Sequence, residues 1–136
     1  MPTLLKSFAG TRVFVTGHTG FKGAWLSEWL LGLGAEVWGF GLPPPTRPSL
    51  FQQLGQARRL NHTLGDLRDF TAVSKALVSA RPDYVFHLAA QPILGEAHSD
   101  PAGTWSTNVM GTVNLLQGLR KLRRPCAAVL VTTDKV

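Results

Sequence analysis

Two hydrophobic periods alternate along this chain. Short apolar runs read as buried strands: Val13 to Val15, Glu36 to Phe40, Tyr84 to Leu88 and Ala127 to Val131. Arg59 to Leu64 is a further strand candidate, ending at Gly65-Asp66. Between the runs, apolar residues recur at helical spacing. Phe21, Trp25, Trp29 and Leu33 make one stripe, Phe70, Val73 and Leu77 a second, and Trp105, Val109, Thr112, Leu116 and Leu119 a third. Such a stripe marks a helix with one face on a core. Asp69 is placed to cap the second helix, and Ser99-Asp100-Pro101 starts the third with proline in its first turn. Gly32 and Gly34 punctuate the end of the first helix, and Pro82 ends the second. Gly41 to Pro48 is a proline-rich loop, and Ser49 to Gln56 forms a short helix.

Strands thus alternate with helices, and each strand is apolar on both faces. That pattern predicts a doubly wound α/β fold, a parallel sheet covered on both sides with right-handed crossovers. The expected strand order is 3-2-1-4-5, with ligands outside the carboxyl ends of strands one and four. The segments at such ends are Gly17 to Gly23, Gly65-Asp66, Ala89-Ala90-Gln91 and Thr132 to Lys135.

The turn after the first strand carries the clearest chemistry. Gly17, Gly20 and Gly23 follow the apolar run in the spacing G-x-x-G-x-x-G, and the first helical stripe begins at Phe21. Gly17 permits a tight turn, Gly20 lets backbone approach phosphate oxygens, and Gly23 lets the helix lie close on the sheet. The helix start then offers unpaired N–H groups and partial positive charge to a diphosphate. Lys22 in the first helical turn opposes the macrodipole, a cost that a bound pyrophosphate offsets.

Composition narrows the partners. A net charge of +6 raises nucleic-acid binding as a possibility. The basic residues are nevertheless dispersed, apart from Arg120-Lys121-Arg123-Arg124 closing the third helix, where cations suit the dipole. No apolar stretch is long enough to span a bilayer, and Met1 to Thr11 is too short and polar for a signal peptide. The single cysteine, Cys126, allows no disulfide within the chain and reads as a buried small hydrophobe. A cytoplasmic location without membrane or nucleic-acid partners is the expectation, and no metal-ligand spacing stands out. His87 reads as a satisfied core histidine, and Asn108 as a brace for the adjacent strand end.

Five motifs now stand together: Thr16 to Gly23, Gly65-Asp66-Leu67-Arg68-Asp69, His87-Leu88-Ala89-Ala90-Gln91-Pro92, Thr107 to Thr112, and Thr132-Thr133-Asp134-Lys135. In these the chain resembles the extended short-chain dehydrogenase/reductase family, over about Arg12 to Val136. Its G-H-T-G-F-K-G turn, the run from Pro44 to Phe51 and the Thr-Asp-Lys sequence are similar to the CDP-glucose 4,6-dehydratase branch. The resemblance implies that residues 1–136 are the N-terminal part of an NAD-binding Rossmann domain, incomplete at its C-terminus and without the substrate domain.

The implied reaction converts CDP-glucose to CDP-4-keto-6-deoxyglucose. Hydride leaves C4 for NAD, water is lost across C5 and C6, and hydride returns to C6. The implied cofactor-binding residues are Gly17, His18, Thr19, Gly20, Phe21, Lys22, Gly23, Asp66, Leu67, Ala89, Ala90 and Gln91. Asp66 and the Leu67 N–H hold the adenine. The implied catalytic residues are Thr133 at the C4 oxygen, Asp134 as acid at the C6 hydroxyl, and Lys135 where related enzymes have a glutamate base. The implied partner is a nucleotide-sugar substrate, and the complete protein is expected to be a homo-oligomer.

The chain departs from the family in three places. Pro43 stands where an acid usually binds the adenosine ribose, with Arg47 nearby, so the choice between NAD and NADP stays open. Ile93 to His98 lacks the arginine and tyrosine that follow Ala-Ala-Gln-Pro in the family. No Tyr-x-x-x-Lys occurs in the 136 residues. The expectation is therefore either a part of a longer enzyme, inactive alone, or a remnant without turnover. The alternatives are a non-catalytic dinucleotide-binding domain or another epimerase or dehydratase of the same family.

Overall fold

The computed structural model describes residues 7–133. The first strand, β1 (Arg12–Thr16), runs into α1 (Phe21–Gly32) and β2 (Glu36–Gly41). A short α2 (Leu50–Gln53) and a 3-10 turn (Gln56–Arg58) lead to β3 (Asn61–Leu64) and α3 (Phe70–Ala80). Then come β4 (Tyr84–His87), α4 (Leu94–Ser99) and α5 (Pro101–Trp105). A π turn (Ser106–Met110) joins α5 to α6 (Gly111–Lys121), and β5 (Ala127–Leu130) follows. The described strands form one parallel sheet in the order β3-β2-β1-β4-β5. This is the expected Rossmann-type winding. Asp69 caps α3 through the Ala72 N–H, and Asp100 caps α5 through the Gly103 N–H.

The central strand separates two cores because its side chains alternate across the sheet. Phe14 faces α3 and α6 with Phe40, Leu67, Val73, Leu77, Val85 and Leu115. Val13 and Val15 face α1 with Leu30, Ala35, Val37 and Leu60. The strands at the two sheet edges differ from the expected pattern. Asn61–Leu64 starts two residues later than Arg59 and is largely exposed, as is Ala127–Leu130. Each of these strands pairs on one side with a described neighbour.

The helices are where expected, but two of them turn different faces inward. In α1 the bulky stripe is outside: Phe21, Trp25 and Trp29 are 69%, 56% and 63% exposed. The buried face is Gly23, Ala24, Ser27 and Leu30. In α6 the buried stripe is Gly111, Leu115 and Gly118, one position earlier than expected, while Trp105, Val109 and Leu116 are exposed. The cause is close packing. A Cβ at Gly118 would lie 2.6 Å from Leu77 Cδ1, and one at Gly111 would lie 2.9 Å from Leu67 Cβ. Helices this close to their neighbours bury small residues. The π turn also shifts the helical phase, so a stripe drawn straight from Trp105 to Leu119 does not stay on one face. An unforeseen helix, α4, lies between β4 and α5 and buries none of its residues. Among the described residues, no helix is long and apolar enough to cross a membrane.

Candidate functional site

Strand register brings the sequence-predicted segments to one edge. Thr16 lies opposite Phe40 on β2 and His87 on β4, and His87 lies opposite Leu130 on β5. Gly17 to Gly23, Ala89-Ala90-Gln91 and Thr133 therefore leave adjacent strands at one level. Asp66 and Leu67 follow β3, itself in register with the end of β2 through Gly41 and Leu64. Asp134 and Lys135 lie outside the described residues.

The glycine turn has a separate reason for each glycine. Gly17 has a φ of +74°, and a Cβ on it would lie 2.9 Å from the Ala89 backbone. The turn and the β4 loop are therefore in backbone contact. A Cβ at Gly23 would collide with the Gly17 carbonyl, so helix and turn interlock. Gly20 is different: a Cβ there would meet only the Gly17 oxygen, at an ordinary 3.4 Å. Packing within the described chain thus leaves the space above Gly20 open. Gly20 is also the extended N-cap of α1, which has no side-chain cap and no acidic residue in its first turn. Its leading N–H groups suit an anion. Lys22 is exposed beside them.

Thr19 and His18 hold the turn from below. Thr19 is buried, and its hydroxyl donates to the Leu42 carbonyl at 2.7 Å. His18 is fully buried, edge-on to Phe51 at 5.3 Å and 5.5 Å from the His62 ring. Gly39 on β2 makes that space, since a Cβ there would collide with the imidazole. Burial, and then the neighbouring His62, push the His18 pKa down to about 4, so the ring is neutral at pH 7. At this position a surface ligand can reach backbone alone. Phe21, by contrast, stands exposed at the mouth of the turn.

A hydrogen-bonded chain ties the turn to the β4 loop. The Thr112 hydroxyl donates to the Asn108 carbonyl at 2.7 Å, so it accepts from His87 Nε2–H at 2.8 Å. His87 Nδ1 then accepts from the Thr16 hydroxyl at 2.7 Å. The Thr16 oxygen in turn accepts from the Leu88 and Ala89 N–H groups, at 3.1 Å each. Every proton is placed by one neutral tautomer. Burial lowers the His87 pKa and favours that same form. Asn108, inside the π turn, completes the connection: its Oδ1 accepts from the Gln91 N–H at 2.7 Å and its Nδ2 donates to the Gln91 carbonyl at 3.1 Å. The Gln91 side chain is itself held by Thr104, at 2.9 Å. Thr16 and Thr112 were not among the sequence candidates. Their signal is their position, one residue before Gly17 and four after Asn108.

Beyond β3, the Asp66 carboxylate accepts from the Arg68 guanidinium at 2.6 Å and from the Arg68 N–H at 2.9 Å. These bonds hold its pKa below the usual carboxylate range. Leu67 is buried, and its carbonyl accepts from Asn114 Nδ2 at 2.8 Å. The two residues are thus fixed from both sides. Cys126 lies at the other end of the sheet, beside a surface hollow lined with Asp83, Tyr84 and Pro125. It is half-buried rather than fully buried, and burial raises its pKa. That hollow shares no residue with the glycine turn. Among the described residues, no group of three His, Cys, Asp or Glu side chains is placed to hold a metal ion.

Comparison with known proteins follows the same lines. A family model described as GDP-mannose 4,6 dehydratase matches residues 14–136. The CDP-glucose 4,6-dehydratase of Salmonella typhimurium is 47% identical over 126 residues, 93% of this chain and 35% of that protein. The UDP-glucose 4-epimerase of Thermus thermophilus, solved as a complex with NAD, is 32% identical with a TM-score of 0.72, covering 82% of this chain and 34% of that one. The Bordetella bronchiseptica enzyme WbmH, solved with NAD+, is 28% identical with a TM-score of 0.69, covering 82% of this chain and 36% of that one. The chain thus spans about a third of the length of these relatives.

Proposed function

The chain belongs to the GDP-mannose 4,6-dehydratase family, and from that premise we propose that it is the cofactor-binding part of an NAD-dependent nucleotide-sugar 4,6-dehydratase acting on CDP-glucose. The observation that carries the reading is Gly20. Its missing side chain has no use within the described chain, yet it opens space beside an uncapped, carboxylate-free helix start. That is what a dinucleotide pyrophosphate needs. The relatives solved with NAD support the same cofactor.

When bound, the nicotinamide supplies an acceptor, and later a donor, of hydride. The residues of this chain do the remaining work. The first-turn N–H groups of α1 and Lys22 bind the pyrophosphate, while Asp66 and Leu67 receive the adenine. Ala89 and Ala90 are small and leave room for the cofactor backbone to pass, and Asn108 holds Gln91 beside them. Thr133 hydrogen-bonds the C4 oxygen of the sugar. Asp134 delivers a proton to the departing C6 hydroxyl, and Lys135 removes the proton at C5. One group cannot easily do both at once, so adjacent acid and base with separated pKa values suit the elimination.

The experiment is to supply CDP-glucose to residues 1–136 alone and to a polypeptide that joins them to a Tyr-x-x-x-Lys segment and a sugar-nucleotide domain. The longer protein is expected to form the 4-keto-6-deoxy product, and the short one none. In the longer protein, Asp134→Asn and Lys135→Met should each slow elimination by about 10²- to 10⁴-fold. Oxidation at C4 should persist, seen as the absorbance of reduced nicotinamide in a single turnover. Robust product from residues 1–136, or loss of reduced-nicotinamide formation in either variant, would contradict the assignment.

A further inference from the structure

The loop that leaves β2 is fastened to the glycine turn at both ends. Its start is held where the Thr19 hydroxyl donates to the Leu42 carbonyl. Its far end returns as Ser49, buried, caps α2 by accepting from the Gln52 N–H, and Phe51 packs edge-on against His18. Thr19 and His18 both belong to the turn. The exposed middle of the loop, Pro43 to Pro48, is therefore held beside the phosphate cradle, and Arg47 lies in that stretch.

The charges there are of one sign. An adenosine ribose with free hydroxyls is usually held by a carboxylate about 20 residues beyond the glycine motif. In this chain no Asp or Glu occurs anywhere between Glu36 and Asp66. Glu36 sits at the opposite end of β2, where it pairs with Arg12, and Asp66, assigned above to the adenine, pairs with Arg68. Glu28, on α1, pairs with Arg59. Among the described residues, Arg47 and Lys22 enter no ion pair. Pro43, at the expected position of the acid, offers neither a carboxylate nor a backbone N–H. Residues 37–65 thus offer no carboxylate to a ribose diol, and the exposed loop carries an arginine suited to phosphate.

Resting on the dinucleotide reading above, we infer that Arg47 reads the 2′ position of the adenosine ribose, so that the site takes a 2′-phosphorylated dinucleotide about as readily as the unphosphorylated one. The site discriminates little against NADP, and Arg47 is the residue that sets this. Substitutions in the exposed loop leave both cores untouched.

The test is calorimetric titration of the protein with NAD and, separately, NADP, repeated for Arg47→Glu and Pro43→Asp, with circular dichroism confirming an unchanged fold. In the unmodified protein the ratio of the NADP to the NAD dissociation constant is expected to be below 10. Each variant should raise that ratio by tenfold or more, Arg47→Glu through weaker NADP binding and Pro43→Asp through tighter NAD binding. A ratio of 10 or more in the unmodified protein, or a smaller change in Arg47→Glu, would overturn the inference while leaving the dinucleotide site intact. Binding of neither cofactor would overturn the dinucleotide reading itself.

Discussion

The two halves of the sheet are built to different tolerances. Around β1, backbone meets backbone: Gly17 against Ala89 and Gly23 against the Gly17 carbonyl, while Gly39 on β2 gives up its space to the His18 ring. Around α3 and α6, backbone meets side chain: Gly118 against the tip of Leu77 and Gly111 against Leu67. The first half holds the glycine turn, proposed above as the anion cradle, whose shape the described chain determines. The second half ends in the exposed strand β5, which leads toward Thr133. The difference teaches where rigidity is spent. The glycine turn relies on main-chain geometry, which cannot relax, whereas a helix-to-helix contact can.

A pair of substitutions sharpens that comparison and carries the largest expected effect. Gly23→Ala places a methyl against a carbonyl that cannot move without opening the turn. A loss of about 3 kcal/mol, the upper end for overpacking, is expected. Gly118→Ala presses on a leucine methyl that can rotate, and about 1 kcal/mol is expected. Urea denaturation of both variants measures the difference. Equal costs would show that the two halves do not differ in tolerance.

A second effect belongs to the first half and concerns pH. The His18 pKa is lowered from 6.5 to about 4 in the folded protein. Between these values the unfolded chain binds the proton and the folded one does not. Stability from this group is therefore complete above pH 6.5 and falls as pH drops toward 4, by up to about 3 kcal/mol. His87, also lowered by burial, adds a loss of the same sign. Unfolding free energies measured from pH 7 to 4 should fall accordingly, and His18→Phe should flatten the curve. An unchanged slope in that variant would mean the ring is not held neutral by its surroundings.

The fold was legible because its strands are short apolar runs and its glycine turn is a local motif. The faces of α1 and α6 were not legible, for one physical reason. Hydrophobic periodicity weighs bulk, so Trp25 and Trp29 outweighed Gly23, Ala24 and Ser27, and Leu116 outweighed Gly118. Close packing reverses that weighting. Helix α4 was not legible because it buries nothing and so carries no apolar period. Within the site, the roles of Gly17 and Gly23 could be read from spacing. The inward aim of His18 could not, because it depends on Gly39, a vacancy on another strand. The Thr16–His87–Thr112 chain joins residues far apart in sequence, and only the strand register brings them together.

The central claim is that the space over Gly20 is reserved for a dinucleotide pyrophosphate. Isothermal calorimetry of NAD against the unmodified protein and against Gly20→Val tests it most directly. A Cβ at Gly20 makes only one ordinary contact, so the variant should fold. The account predicts saturable binding in the unmodified protein and a loss of 100-fold or more in the variant, about 2.7 kcal/mol, with unchanged unfolding. Equal affinity in the two proteins would contradict it and move the cofactor away from the glycine turn.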